Sequence, residues 1–330
     1  MDIKDFLIRV VRRVYRKITR KVFLKPECDC DRQSSNDLIY ELLISGKPCM
    51  VSRFGTTELN CINNYLCVEK GKKHYLRCLS DYLTDNTHTP WWNKAHFKTM
   101  EQLSGIFPST QHIAEEFSKI SLEAASHIDI LGCHQYYEKF MPIQNAKKVQ
   151  LEMLYPFFVE KPWTRALKGK RVLVVHPFDQ TIRNQYTRRK DLFDNPEVLP
   201  DFTLLTLKAE QTIGGTSRFG SWMEALDYMK RQIEKIDFDI CILGCGAYGM
   251  PLASFVKSLG KQAIHIGGGT QLLFGIKGKR WVEQYHDIWH YRPGVDIDIN
   301  YRKLFNDNWI YPSVNEKPKS AEKVEGGCYW

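Results

Sequence analysis

Long uncharged runs are nearly missing from this 330-residue chain. The longest, Ile240–Val256, holds three glycines and a proline, so it reads as strand, turn and helix rather than a membrane span. An uncharged core and a small-residue cleavage site are both missing near the N-terminus, which argues against a secretory signal. Surplus positive charge is also scarce in most of the chain. There are 47 Lys plus Arg and 38 Asp plus Glu, a formal net charge of +9. Residues 1–25 hold nine of those bases and two acids; the other 305 residues hold 38 bases and 36 acids. A body this close to neutral argues against a nucleic-acid binder with a basic body. It leaves a cationic N-terminal handle on a near-neutral globular body.

Paired metal-binding cysteines are absent too. The ten cysteines are irregularly spaced, and several lie in apolar runs such as Ile240-Cys241-Ile242-Leu243. They read as reduced, mostly buried thiols of a cytosolic protein. Cys28-Asp29-Cys30 has no second pair to complete a four-ligand zinc site. No internal repeat is present.

What is there begins with a helix over residues 3–22. Ile3, Leu7, Val10, Val11, Val14, Tyr15, Ile18 and Val22 recur at helical spacing, with Asp5, Arg9, Arg12, Arg13, Arg16 and Arg20 on the other side. Pro26 ends it. Such a helix suits the interface of an anionic membrane, or packing on the protein's own body with its cations solvated. The handle is taken as residues 1–26, a polar linker as 27–35, the main domain as 36–314 and a loose polar tail as 315–330.

Within the domain, Ser35 is placed as the cap of a helix over 36–45, and Pro48–Arg53 as a strand. Residues 58–65 read as helix, 70–125 as mainly helical around a Trp-rich loop, and His127–Leu131 as a strand. Later strands are expected at Arg171–Val175, Leu204–Leu207, Asp239–Leu243 and Gln262–Ile266, with helices at Ser221–Ile236 and Met250–Leu259. Strands alternating with helices predict an α/β fold with a Rossmann-like, doubly wound, mostly parallel sheet.

Chemistry is expected at the carboxyl ends of those strands. Gly244-Cys245-Gly246-Ala247-Tyr248-Gly249 follows an apolar strand and opens a helix, the context in which backbone amides approach a phosphate. A nicotinamide site usually has an acid at the end of the next strand, and Gln262–Ile266 offers none. A tight turn without ligand is the plainer alternative. Gly267-Gly268-Gly269-Thr270 follows the neighbouring strand, and Lys277-Gly278-Lys279-Arg280 supplies cations for a diphosphate, or a solvated basic loop. In Arg53-Phe54-Gly55-Thr56-Thr57-Glu58, Arg53 suits a phosphate, and Glu58 suits a metal, a base or simply a helix start. His176-Pro177-Phe178-Asp179 and Lys208-Ala209-Glu210-Gln211-Thr212 put further polar groups at strand ends.

The combination of Arg53-Phe54-Gly55-x-x-Glu58, the Gly244–Gly249 loop and the run from Gly267 through Gln271 to Trp281 resembles bacterial GT-D-type glycosyltransferases, whose relatives occur in surface-polysaccharide assembly. The resemblance spans roughly residues 35–290. It implies a nucleotide-diphosphate sugar donor held by Arg53, Gly55, Gly244, Gly246, Tyr248, Gly249, Gly267, Gly268, Gln271, Lys279 and Arg280. It also implies a divalent metal, Mn²⁺ or Mg²⁺, at Glu58. The family's acidic signature is Asp-x-Glu, and Thr56 stands where its Asp belongs, which puts the metal's ligand set in question. The base for the acceptor hydroxyl is sought among Glu58, His176 and Asp179. The expected protein is a glycosyltransferase peripheral on the inner face of the plasma membrane, acting on a saccharide, lipid-linked acceptor. Its rivals are a dinucleotide-dependent sugar-modifying enzyme and a non-catalytic, membrane-associated scaffold.

Overall fold

The computed structural model describes residues 3–20, 26–84, 86–213, 217–284, 300–318, 320–323 and 326–330. Seven parallel strands form one sheet: β1 (Cys49–Arg53), β2 (Ile130–Cys133), β3 (Lys147–Gln150), β4 (Arg171–His176), β5 (Thr203–Lys208), β6 (Ile240–Leu243) and β7 (Gln262–His265), in the order β3-β2-β1-β7-β6-β4-β5. The helices are α1 (Ile3–Thr19), α2 (Arg32–Ile44), α3 (Thr56–Leu83), α4 (Lys94–Thr99), α5 (Gln111–Ser126), α6 (Asp179–Thr187), α7 (Trp222–Ile233), α8 (Gly249–Ser258) and α9 (Gly269–Leu273). This is the expected Rossmann-like, doubly wound α/β fold.

The strands are apolar on both faces because helices cover both. In β4, Leu173 and Val175 join one core with α3, α5, α7 and α8, while Val172 and Val174 join the other with α2, α6 and α9. Residues of β6 alternate in the same way. The helices after β1 and β6 therefore leave toward one face, and those after β4 and β7 toward the other. A crevice opens between them at the carboxyl ends of four central strands, where open α/β sheets bind ligands.

Several boundaries differ from expectation. Ser35 is buried inside α2; the cap is Asp31, whose carboxylate accepts the Ser34 N–H at 2.7 Å. The expected linker is thus partly helix, and Asp29 bridges to Val149 on the edge of the sheet. Helix α3 runs far beyond residue 65, interrupted only by non-helical backbone at His74. Lys21, Val22 and Lys25, assigned to the basic handle, lie outside the described residues.

The segment expected to be a loose polar tail is packed into the body. Glu316, Ser320, Ala321, Cys328 and Trp330 are buried. Glu316 accepts N–H bonds from Gln180 at 2.8 Å and from Thr181, so it caps the start of α6 from across the chain. The Arg280 N–H donates to the Cys328 carbonyl at 2.8 Å, and the Trp330 ring sits edge-on to Phe178. No helix among the described residues is long and apolar enough to cross a membrane.

Candidate functional site

The crevice holds a cleft of about 330 Å³. Its floor consists of the turns after β1 (from Arg53 to Glu58), β4 (from His176 to Phe178), β6 (from Gly244 to Tyr248) and β7 (from His265 to Gly268). Tyr155, Arg280, Trp281, Tyr301, Tyr329 and Trp330 form part of its walls.

The three glycines after β6 have different jobs. A side chain on Gly244 would meet His176 at 2.5 Å and Thr270 at 2.7 Å, so this glycine lets two strand ends close up. A side chain on Gly249 would strike the His265 ring at 2.3 Å; it serves the close packing of α8 on the sheet and does not line the cleft. Gly246 has φ +57° and nothing within 4 Å of where a side chain would begin. Of these three, only Gly246 combines a left-handed turn with open space facing the cleft. Across the crevice, Gly267 has φ +55°, and the one neighbour of its absent side chain is Arg53 Cδ at 3.8 Å.

Two cations act on this space. Burial pushes the Tyr155 phenol up to about 12, while Arg53 and Arg280 both pull it down, so both guanidinium charges act on the same wall. Arg280 lies over the Tyr329 ring at 4.6 Å and donates to its hydroxyl at 2.9 Å. Behind Arg53, Ser52 Oγ and His265 Nδ1 share a hydrogen bond of 3.1 Å. Burial, then the Arg53 charge, lower His265 to about 3, so it stays neutral.

His176 is buried and lowered to about 3 by desolvation. Its Nδ1 accepts the Phe178 N–H at 3.0 Å. A neutral imidazole with Nδ1 as acceptor carries its proton on Nε2. It has no lone pair left for a substrate proton, so it suits a hydrogen-bond donor and not the base it was expected to be. Asp179 does not line the cleft; it pairs with Arg183 at 2.6 Å, one turn along α6. Glu210 lines the cleft but is paired with Arg218 at 2.6 Å. Glu58, in the first turn of α3, lines the cleft with its carboxylate folded back over Gly55.

Of the other expected residues, Tyr248 lines the cleft, but its ring stacks on Trp222 and its hydroxyl bonds Thr212 at 2.9 Å. Gln271 donates to the Lys277 carbonyl at 2.7 Å and the Tyr329 carbonyl at 3.0 Å, tying the basic loop to the end of the chain. Lys279 lies outside the lining, with its Nζ 3.4 Å from the Gly326 carbonyl. Sequence reading missed Tyr155, His265, Tyr301, Tyr329 and Trp330. For the last two, the aromatic pair ending a polar stretch was the available signal.

The expected metal position has a sparse set of protein donors. Glu58 offers one carboxylate, Thr56 a neutral hydroxyl, and no group of three or more metal-ligating side chains occurs among the described residues. Mg²⁺ is commonly held by one or two carboxylates together with phosphate oxygens from its substrate, so Glu58 would hold such an ion only in company with a bound diphosphate. Comparison with known proteins finds no matching family model, no similar curated protein and no similar solved structure.

Proposed function

We propose that the protein transfers a sugar from a nucleotide-diphosphate donor to a saccharide acceptor. The observation that carries this reading is the convergence of Arg53, Arg280 and the left-handed turns at Gly246 and Gly267 on one cleft. A diphosphate has the charge and size for such a cradle, and the aromatic wall suits a base or a sugar ring. As the glycosidic bond breaks, negative charge grows on the leaving diphosphate. Fixed amides and guanidiniums aimed at it stabilise that charge without reorganising. Arg53 and Arg280 hold the diphosphate, and the Nε2–H of His176 is available as a further donor. Glu58 takes the acceptor hydroxyl's proton, since Asp179 and Glu210 are committed to arginines. No step is assigned to a metal. We place the acceptor on a lipid carrier and the enzyme at the inner face of the membrane.

The test is a panel of nucleotide diphosphates and nucleotide sugars, read by thermal shift and by donor hydrolysis. At least one should stabilise the protein. Arg53→Ala should weaken that binding by roughly tenfold to a hundredfold, the worth of a hydrogen bond to a charged group. Glu58→Gln should bind donor normally and lose on the order of 10²- to 10⁴-fold in turnover, the usual contribution of a general base. If nothing in the panel binds, the transferase reading fails and a scaffold role takes its place. If Glu58→Gln turns over as wild type, Glu58 is not the base.

A further inference from the structure

Helix α1 sits on the body the wrong way round for an ordinary amphipathic helix. Such a helix normally buries its apolar stripe. Among residues 7–19, Ile8, Arg12 and Tyr15 are the half-buried ones, and the Arg12 guanidinium lies over the ring of Tyr82 in α3 at 4.1 Å. Leu7, Val10, Val11, Val14 and Ile18 are between 40% and 77% exposed. Leu7, Val11, Val14 and Ile18 follow the i, i+4, i+7, i+11 spacing of a single helical line, and Val10 lies beside it. Arg13 and Lys17, both exposed, stand one turn on from Val10 and Val14.

The supporting helix adds a second outward cluster. In α3, all six residues from Lys72 to Arg77 are exposed, among them Tyr75 and Leu76, the latter at 80%. Lys73 and Arg77 flank this pair. Two adjacent helices therefore each present aliphatic or aromatic side chains fringed by cations. Residues 3–20 carry seven bases and one acid, while the chain beyond residue 25 is nearly balanced.

We infer that this face, the outer line of α1 with the exposed turn of α3, docks on an anionic lipid surface. The charge selects that occupant: cations bordering an outward aliphatic line match headgroup phosphates and carboxylates above an acyl layer. The stripe is made of short aliphatic side chains without the central aromatic or arginine anchor typical of a protein-binding hot spot. Docking is separate from donor binding, because α1 takes no part in lining the cleft.

The experiment is co-sedimentation of the full chain with phosphatidylcholine vesicles, with and without phosphatidylserine. The protein should sediment with the phosphatidylserine vesicles only, and added salt should release it. A Val11→Asp, Val14→Asp double variant should abolish sedimentation while keeping the wild-type melting temperature, since both side chains already face solvent. Arg13→Glu with Lys17→Glu should weaken it by roughly fivefold or more per charge. Wild type that stays in the supernatant, or the aspartate variant sedimenting as well as wild type, overturns the inference. So does a wild-type dimer that the aspartate variant converts to monomer without any lipid binding, because a second copy would then cover the stripe. Each variant should still respond to whichever nucleotide stabilises wild type, so loss of docking and failure of the transferase reading give different results.

Discussion

Gly246 and Gly249 lack a side chain for opposite reasons, and substitution separates them. Alanine at 246 enters open space but must hold φ near +57°, a left-handed conformation that costs about 1–2 kcal/mol. Its methyl group would also stand where a phosphate is proposed to approach. Gly246→Ala should therefore melt slightly below wild type and lose nucleotide-diphosphate affinity. Alanine at 249 meets the buried His265 ring, which Ser52 holds in place, and overpacking of this kind costs about 1–3 kcal/mol. Gly249→Ala should melt lower and still bind nucleotide with its folded fraction. Thermal melts and titration calorimetry on the two variants read both quantities. If Gly246→Ala binds as wild type, the loop is not a phosphate cradle. The glycine spacing marked this loop in the sequence, but the division of labour was hidden, because it depends on His176, Thr270 and His265 arriving from other elements.

At the scale of elements, legibility followed apolar runs in the sequence. Strands β4, β6 and β7 are buried runs in the middle of the sheet, and their sequences announced them. Strand β3, Lys-Lys-Val-Gln, lies at the edge with its first two residues exposed, so it lacked any apolar run to read. Helix α3 was foreseen only in part, since six consecutive exposed residues around His74 break its amphipathic pattern. The segment after residue 314 was misread because its composition is polar, while its few buried groups act across the fold. Glu316 shows this most clearly: its carboxylate receives the Gln180 and Thr181 N–H groups and the Thr181 hydroxyl, all at the start of α6. Glu316→Ala strips a helix cap in a buried place and should lower stability by about 1–2 kcal/mol, the upper range for lost caps. Denaturant midpoints will measure it. If the midpoint does not move, the segment is not holding α6. Because α6 begins right after His176 and Phe178, the same variant should also weaken nucleotide binding.

For the whole molecule, the buried titratable groups define a window of pH in which the fold is stable. His176 and His265 are held near 3 when folded, against about 6.5 in the unfolded chain. Below about pH 6.5 the unfolded state takes up protons that the folded state refuses, so stability falls with pH. Going from about pH 7.5 to about pH 5 should cost about 2 kcal/mol for each histidine. On the alkaline side, burial pushes the Cys49 and Cys61 thiols up to about 12 and holds those of Cys133, Cys241 and Cys245 up as well. Unfolded thiols ionise near 9 while these stay protonated, so stability falls again above about pH 9, by about 1.4 kcal/mol per pH unit for each thiol. The acid limb can be assigned, because Asp239, whose pKa the Arg171 hydrogen bonds lower, gives up its contribution only below the usual carboxylate range. Urea midpoints measured under reducing conditions should thus be flat between about pH 7 and pH 8.5 and fall on either side. Burial, then the Arg9 charge, lower His96 as well, so His265→Gln removes one of three refused protons and should reduce the slope between about pH 6 and pH 5 by roughly a third to a half. A midpoint that does not change on going to pH 5 would mean that the imidazoles are charged in the folded protein. His176 would then carry a positive charge in the cleft, and its assignment as a neutral Nε2–H donor would fall with the stability argument.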